Sequence, residues 1–254
     1  MRCGGYKNIV LEVRDGIATL TINRPEVLNA MDSETRREML DAVRELAGRN
    51  DVRVLIITGA GRAFSSGQDV REASEFNSED VGNWLREWNE LYQAIINLEI
   101  PIIAKLKGYA IGAGFQIALL SDVRVSAENC KFGLGEINVG IPCILGSYIL
   151  SKLIGFGRTT KLVLTGELVD AVEAERLGIV HMVVPEEELD RVVSEIARSL
   201  ATKSRTAIRL NRIWFRSFWR EFKEVSEQAV RLHREAYKSG EPQRLMKEFV
   251  EGKR

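Results

Sequence analysis

Strand-like segments alternate with helical patterns through the first half of the chain. VRVLIITG (52–59) is almost entirely apolar, and PIIAKLKG (101–108) and DVRVSAE (122–128) follow it as further strands. A strand that is apolar on both sides is typical of a parallel sheet whose two faces are covered by helices. The alternation at this spacing therefore predicts right-handed βαβ units and an α/β fold.

Local signals add detail to this core. Asp15-Gly16 separates two β-type runs and predicts a hairpin. Asp32 or Ser33 can cap the helix that follows, and another helix is predicted over 78–98. In the C-terminal part helical patterns dominate, interrupted only by the short strand HMVV, so the α/β core is expected to lead into a helical C-terminal region.

The composition argues against several classes of protein. Thirty-six basic residues balance thirty-six acidic ones among 254, so no net charge favours nucleic acid or a membrane surface. No apolar run approaches the roughly 18 residues of a membrane span, and no charged-then-apolar leader opens the chain. The odd set Cys3, Cys130 and Cys143 lacks metal-ligand spacing, which favours a reducing, cytoplasmic compartment and predicts no metal site. His181 and His233 lie in no supporting motif and are interpreted as incidental.

The glycine-rich turn after the first buried strand does not match a nucleotide-binding turn. Gly59 and Gly61 follow the strand, but Phe64 stands where a third glycine is required, and no helix can begin at the Ser-Ser-Gly that follows. A dinucleotide fingerprint needs that helix to present its N-terminus to pyrophosphate. The Gly-Lys-Ser/Thr ending of a P-loop is absent as well.

Two other turns point to chemistry performed by the backbone. AFSSGQDV (63–70) follows one buried strand and GYAIGAGFQ (108–116) follows the next. The carboxyl ends of neighbouring parallel strands lie side by side, where open α/β sheets place ligands. Glycines there let a substrate oxygen approach main-chain N–H groups, and two such groups form an oxyanion hole. Alternatively, the glycines only permit tight turns and close helix packing.

Five motifs occur in an order that resembles the enoyl-CoA hydratase/isomerase, or crotonase, family. They are NRPEVLNAM (23–31), AFSSGQDV (63–70), GYAIGAGFQIALLSD (108–122), FGLGEINVGIP (132–142) and TGELVDAVEAERLGIVHMVVP (165–185). The resemblance covers nearly the whole chain. It implies a crotonase-like ββα spiral core with the active site over residues 1–190 and a helical oligomerisation region over 191–254. It also implies a homotrimer or a hexamer that acts on an acyl-CoA thioester.

The resemblance assigns the catalytic groups residue by residue. The main-chain N–H groups of Gln68 and Ala113 match the family's oxyanion donors. Glu136 matches one of the two glutamates of the hydratases, whereas Gln116 occupies the position of the other. Because an amide cannot exchange a proton as a carboxyl does, hydration lacks one partner. Gln116 is then either a substrate contact or a helix amide hydrogen-bonded in a partly buried place.

One carboxylate is sufficient to move a double bond. The 3-enoyl-CoA isomerases of the family resemble this chain, so the preferred reaction is a shift from the 3- to the 2-position with Glu136 as the base. The alternative is 2-enoyl-CoA hydration, as in fatty-acid β-oxidation; decarboxylation and thioester hydrolysis stay open. Cys143 stands where hydratases commonly have a glycine beside the catalytic water, and either shapes that site or is a small buried residue.

The resemblance also implies where the substrate binds. Glu26 replaces a residue that is often lysine in the family, so Arg24 or Arg71 is expected to contact the CoA phosphates, and Lys253 can reach a neighbouring subunit's CoA. No separate cofactor is expected, since CoA is part of the substrate. The predicted substrate and CoA contacts are Arg24, Val27, Leu28, Ala30, Ser66, Gly67, Asp69, Arg71, Gly112, Cys143, Phe249 and Lys253.

A competing hypothesis is RNA binding through an arginine stripe. The segment 203–220 places Arg205, Arg209, Arg212 and Arg216 on one helical face, beside Trp214 and Trp219. Such a stripe could contact phosphates and stack on bases. The preferred interpretation is that acidic residues such as Glu221 and Glu224 balance it and that the aromatic side chains pack at a subunit contact, because the net charge is zero.

Overall fold

A computed structural model describes residues 2–3 and 5–253. In this part of the chain the strands are β1 (Arg2–Cys3), β2 (Ile9–Arg14), β3 (Ile17–Ile22), β4 (Val54–Gly59), β5 (Ile102–Leu106), β6 (Tyr109–Ile111), β7 (Val123–Ala127), β8 (Lys131–Gly133), β9 (Val169–Asp170) and β10 (Met182–Val184). The main sheet has the order β1-β2-β3-β4-β5-β7-β10. Its first three strands pair antiparallel, and the pairs from β3 through β10 are parallel. The predicted hairpin is confirmed, with positive φ at both Asp15 and Gly16.

Helices cover both faces of this sheet and dominate the C-terminal part. They are α1 (Ser33–Ala47), α2 (Val70–Ser74), α3 (Val81–Asn97), α4 (Gly112–Leu119), α5 (Ile144–Ile154), α6 (Phe156–Thr165), α7 (Ala171–Arg176), α8 (Glu186–Ala201), α9 (Arg205–Arg216), α10 (Phe222–Lys238) and α11 (Glu241–Val250). Asp32 caps α1 by accepting a hydrogen bond from Thr35 N–H at 2.8 Å. The predicted α/β fold with a helical C-terminal region is confirmed.

Strand β4 shows why its segment is apolar on both sides. All six of its residues are buried. Leu55 and Ile57 belong to the main core, which α1 and α3 complete. Val54 and Ile56 face the other way, into a second core that includes Val193 of α8. A strand covered on both faces has no solvent side, so polar alternation is absent.

A small second sheet departs from the expected pattern. It has the order β6-β8-β9, in which β6 and β8 pair parallel and β8 and β9 pair antiparallel. The expectation that HMVV is the only strand in the C-terminal part is therefore wrong, because β9 forms at Val169–Asp170. Segments of two or three residues are too short to show a strand period.

The last two helices fold back onto their own chain. Helix α10 contacts α3 and α5, and α11 contacts α2. Phe222, Ala229, Tyr237 and Met246 are buried in the main core. This end of the molecule therefore covers the region between α2, α3 and α5. An additional role of 191–254 in oligomerisation stays a prediction.

Helix α9 does not present a free row of guanidinium groups. The arginines of the stripe are engaged by the protein itself: Arg205 with the carbonyl of Asn50, Arg209 and Arg216 with Glu99, and Arg212 with Asp122. Arg212 is only 7% exposed. The balancing acids are thus not those expected, and Glu221 pairs with Lys152 instead at 3.0 Å.

Candidate active site

Two backbone turns meet at the carboxyl edge of the main sheet. The chain leaves β4 into residues 60–69 and leaves β5 into residues 107–112. Ser65 N–H donates to the carbonyl of Tyr109 at 2.9 Å, and Ile111 N–H donates to the carbonyl of Ser65 at 3.0 Å. Since β4 and β5 are parallel neighbours, both turns emerge at the same edge, as predicted.

Glycines bring the two turns into contact. Gly67 has a φ of +92°, and a Cβ on it would lie 2.6 Å from the carbonyl oxygen of Ile111 and 3.0 Å from the nitrogen of Ala113. A Cβ on Gly114 would lie 2.7 Å from the Cβ of Ser65. Side chains at these two positions would push the turns apart, so the glycines set the separation of the main-chain N–H groups on either side.

The N–H groups of Gln68 and Ala113 have no acceptor within the described part of the chain. Ala113 lies in the first turn of α4, where N–H groups find no partner inside the helix and the helix dipole is positive. The N–H group of the next residue, Asp69, donates a hydrogen bond to the carbonyl of Met31 at 3.1 Å. Gln68 and Ala113 line the same cavity. Two unpaired donors on adjoining turns are suited to an oxygen that gains negative charge.

Glu136 places a carboxyl group beside these donors. It begins a 3₁₀ turn over Glu136–Val139, and a Cβ on Gly112 would lie 3.6 Å from its Oε1. Its Oε2 is buried and makes no hydrogen bond of standard geometry to the described residues. Burial raises the pKa of Glu136, an effect opposed by its own backbone N–H, by the Cys143 thiol and by Gln116. The Cys143 thiol makes no hydrogen bond of standard geometry to Oε2. The raised pKa suits a proton-transfer group.

Gln116 is buried and held in one orientation. Tyr92 O–H donates to its Oε1 at 3.1 Å, and its Nε2 donates to Oε1 of Glu136 at 2.8 Å. An ionised carboxylate only accepts, so the NH₂ group must face Glu136, and Oε1 of the amide is left to accept from the phenol. Burial raises the pKa of Tyr92 well above its usual value, which keeps the phenol a donor. Gln116 thus contacts Glu136 directly and cannot itself exchange a proton.

A cavity of about 730 Å³ joins these groups. Helix α3 supplies Trp84 and Trp88 to its wall, and α11 supplies Met246. Most of the predicted site residues line it: Val27, Leu28, Ala30, Ser66, Gln68, Asp69, Arg71, Gly112, Ala113, Gln116, Glu136, Cys143 and Phe249.

Three predicted site residues do not line the cavity. The guanidinium group of Arg24 forms an ion pair with Asp69 at 3.1 Å and is largely buried, so its charge is neutralised inside the protein. Lys253 pairs with Glu251 at 2.5 Å. Gly67 lies behind the cavity wall and separates the two turns, as described above.

Among the cavity residues that were not found from the sequence, Arg62 and Tyr92 carry functional groups. Arg62 is exposed beside the cavity, in the turn that leaves β4. Tyr92 lies one helical turn beyond Trp88 on the apolar face of α3, and this spacing is a signal that could have placed it in the cavity wall. Both residues extend the predicted set, Arg62 as a cation and Tyr92 as the group that orients Gln116.

His233, interpreted from the sequence as incidental, lies in the cavity wall. This histidine lines the cavity and is buried, with its ring edge-on to Trp84 at 5.8 Å between centroids. Its Nδ1 lies 2.7 Å from the carbonyl oxygen of Ala229 and must donate, since a carbonyl only accepts. Burial lowers the pKa of His233 to about 4, so the ring is neutral near pH 7. His181, by contrast, accepts from Arg124 N–H at 3.0 Å and has a structural role.

Other classes of site find no support in the described residues. Over this part of the chain, no group of three or more His, Cys, Asp or Glu residues could hold a metal ion. The thiols of Cys130 and Cys143 are free and buried. None of the helices within residues 2–3 and 5–253 is both long and apolar enough to cross a membrane.

Comparison with known proteins agrees with this geometry. Residues 12–254 match the family described as enoyl-CoA hydratase/isomerase. The chain is 35% identical over 207 residues to the short-chain-enoyl-CoA hydratase of Clostridium acetobutylicum, a match that covers 81% of this chain and 79% of that protein. It is also 35% identical over 209 residues to the crotonyl-CoA hydratase of Syntrophomonas wolfei, covering 82% of this chain and 80% of that protein.

A solved structure extends the likeness to the fold. The crystal structure of an enoyl-CoA hydratase from Bacillus halodurans superimposes with a TM-score of 0.88 at 25% sequence identity, covering 95% of this chain and 99% of that one. Sequence and structure therefore agree over nearly the whole chain. The protein belongs to the enoyl-CoA hydratase/isomerase family and is an acyl-CoA enzyme.

Proposed function

We propose that this enzyme shifts the double bond of a 3-enoyl-CoA thioester to the 2-position. The observation that carries the proposal is that one carboxyl group, Glu136, lies beside the N–H donors of Gln68 and Ala113. The amide of Gln116 stands at the position where hydration would require a second carboxyl group. Of the other carboxyl groups that line the cavity, Glu26 is exposed and Asp69 is engaged by Arg24. A single base is what a double-bond shift needs.

The proposed reaction is a balanced transfer of one proton. Oε2 of Glu136 removes a proton from C2, and the electron pair moves towards the thioester oxygen, which the N–H groups of Gln68 and Ala113 hold. The protonated carboxyl group then returns a proton to C4, so the C3=C4 bond becomes C2=C3. Neither an oxidant nor a reductant is required, and we expect no cofactor beyond the CoA of the substrate. The raised pKa of Glu136 brings the carboxyl group nearer to working pH, where both transfers are efficient.

CoA recognition is proposed to use two exposed arginines. Arg62 and Arg71 line the cavity, and neither guanidinium group has an ion-pair partner within the described residues. Arg24 is paired with the carboxylate of Asp69 inside the protein. Of the two arginines predicted from the sequence, Arg71 is therefore the better candidate to contact the CoA phosphates. The apolar lining supplied by Val27 and Leu28 is the proposed wall for the adenine.

The second candidate is hydration of a 2-enoyl-CoA. The names of the relatives favour it, since those from Clostridium acetobutylicum and Syntrophomonas wolfei are both called hydratases. In this reaction Glu136 would act on a water that adds to C3 while a proton reaches C2, and Gln116 would only hold Glu136 in place.

One assay decides between the two. The purified protein is given a 3-enoyl-CoA and, separately, a 2-enoyl-CoA, and the products are identified by chromatography. Isomerisation faster than hydration is the expected result; robust hydration with negligible isomerisation would reverse the order. Glu136→Gln is expected to abolish either activity and to leave CoA binding by calorimetry largely intact. Full activity of that variant would remove Glu136 from the mechanism.

We also propose that the protein assembles as a trimer or a hexamer. Large apolar side chains lie exposed on α6 and α9, among them Phe156 at 80% and Trp214 at 64%. Exposed apolar patches commonly mark protein contacts. Sedimentation velocity at micromolar concentration tests this proposal, and a monomer there would contradict it. The cytoplasmic location likewise remains a prediction.

A further inference from the structure

The side chain of Gln68 is held at both of its polar atoms. Its Oε1 accepts three hydrogen bonds: from Nη1 of Arg36 at 2.9 Å, from Nε1 of Trp84 at 2.8 Å and from Nε1 of Trp88 at 3.0 Å. Its Nε2 donates to Oε2 of Glu72 at 2.7 Å and to the carbonyl of Asp69 at 3.0 Å. Exchanging the oxygen and the nitrogen would set the NH₂ group against three donors, so the amide has one orientation.

This hydrogen-bonding centre is anchored in the protein interior. The side chain of Arg36 is 1% exposed and forms ion pairs with Glu72 at 2.9 Å and with Glu87 at 2.7 Å. Its guanidinium group also lies 5.4 Å from the centre of the Trp88 ring. A buried charged network resists opening, because any partner that is removed leaves another buried group unpaired. The Gln68 side chain is therefore bound to a rigid frame formed by α1, α2 and α3.

The two tryptophans belong both to this frame and to the cavity wall. Trp84 and Trp88 line the cavity and are buried. Trp84 packs edge-on against Tyr237 at 5.9 Å between centroids, and Trp88 packs against Tyr92 at 5.4 Å. Aromatic contacts hold the two rings, and Oε1 of Gln68 accepts a hydrogen bond from each of their N–H groups. An acyl group that contacts the rings therefore also acts on Gln68.

We infer that Gln68 acts twice, through its main-chain N–H as an oxyanion donor and through its side chain as the group that positions that N–H. Trp84 and Trp88 are positioning residues that connect the α3 wall of the cavity to this donor. The inference rests on the proposed function, in which the N–H groups of Gln68 and Ala113 hold the thioester oxygen. If the inference holds, kcat, and not only KM, depends on the acyl group that contacts the tryptophans.

The kinetic test removes the side-chain contacts while keeping the main-chain donor. Gln68→Ala, Trp84→Phe and Trp88→Phe are compared with wild type on a four-carbon and a ten-carbon substrate. We expect kcat on the longer substrate to fall by about tenfold with KM changed far less, because a small displacement of a donor costs catalysis rather than binding. We also expect the ratio of the two kcat values, above one in wild type, to move towards one.

A matched control is available within the chain. Trp219 is partly buried, and its indole N–H donates to no acceptor in the described part of the protein. Trp219→Phe should therefore retain both kcat values, whereas the two cavity variants lose about tenfold in kcat on the longer substrate. Thermal unfolding verifies that each variant is folded. If Gln68→Ala does not fold, the two Trp→Phe variants, which keep an aromatic ring, carry the test.

A spectroscopic readout separates this inference from the proposed function. The thioester C=O stretching frequency of a bound saturated acyl-CoA falls when N–H groups polarise the carbonyl. We expect the frequency in Gln68→Ala and Trp84→Phe to return towards that of the free thioester. A frequency and a kcat equal to wild type in these variants would overturn the inference. If wild type converts neither enoyl-CoA, the proposed function fails, and the frequency shift still decides the inference.

Discussion

The amide of Gln116 donates a hydrogen bond of 2.8 Å to Oε1 of Glu136, and Tyr92 fixes that amide from the opposite side at 3.1 Å. One carboxylate oxygen is thereby occupied by a neutral donor. The other, Oε2, is left without a partner of standard geometry in the described residues and is available for the proton. In the proposed reaction this arrangement divides positioning from proton transfer, because Gln116 holds the carboxyl group and Glu136 transfers the proton.

Removal of the Tyr92 hydroxyl tests this division. In Tyr92→Phe the Oε1 of Gln116 loses its donor, so the amide is held less firmly and its Nε2 donates less reliably to Oε1 of Glu136. A donor to the charged form lowers a carboxyl pKa, so its loss should raise the pKa of Glu136 further. We expect kcat to fall severalfold and the acid limb of the pH–rate profile to move to higher pH. Tyr148→Phe is the control, since the buried Tyr148 hydroxyl makes no hydrogen bond of standard geometry to the described residues. An unmoved acid limb in Tyr92→Phe would contradict the role of Tyr92.

Replacement of Glu136 by glutamine should have opposite effects on activity and stability. Loss of a general base typically costs about 10³-fold in rate. The pKa of Glu136 is raised in the folded state, so the ionised group opposes folding at a pH above that pKa, and the penalty disappears below the ordinary carboxyl pKa. We expect Glu136→Gln to unfold a few degrees higher than wild type at pH 8 and at nearly the same temperature near pH 4. A lower unfolding temperature at pH 8 would show that the carboxylate is not destabilising.

A second carboxyl group at position 116 should alter the reaction. In Gln116→Glu two carboxyl groups would lie within hydrogen-bonding distance and share a proton, which raises the pKa of one of them. That group could serve as the missing acid, so we expect hydration of a 2-enoyl-CoA to increase relative to isomerisation of a 3-enoyl-CoA. Gln116→Met, which has a similar length and no polar atom, is the control. An unchanged ratio would show that something other than position 116 limits hydration.

The features that follow from backbone pattern were predictable from the sequence. VRVLIITG could be placed in a parallel sheet because burial of both faces removes the polar–apolar alternation from the strand. The meeting of the turns at Gln68 and Ala113 followed, since parallel neighbours end at one edge. The two-residue strand β9 was not predicted, because it is too short to show the alternation of a strand.

The features that depend on side-chain conformation were not predictable in the same way. Arg36 lies on the apolar face of α1, where a charge signals a buried partner, but the partners Glu72 and Glu87 come from two other helices. His233 reaches the cavity only because α10 folds back over α3. Such contacts are set by tertiary packing, for which a single sequence carries no periodic signal.

The buried His233 should make the protein sensitive to mild acid. Its pKa is lowered from 6.5 to about 4 in the folded state, first because burial disfavours the charged ring. The unfolded chain therefore binds a proton near pH 6.5, whereas the folded chain does not until about pH 4. Stability from this group is complete above pH 6.5 and falls as the pH decreases through that window, by about 3 kcal/mol in all.

Comparison with His233→Phe isolates this contribution, since His181 and the carboxyl groups titrate in both proteins. Free energies of unfolding are measured in urea at intervals between pH 7 and pH 4. The wild-type value should fall more steeply than that of the variant, and the difference between the two curves should change by about 3 kcal/mol over the window. Parallel curves would mean that the His233 ring becomes charged in the folded protein as readily as in the unfolded chain, which its burial between α3 and α10 argues against.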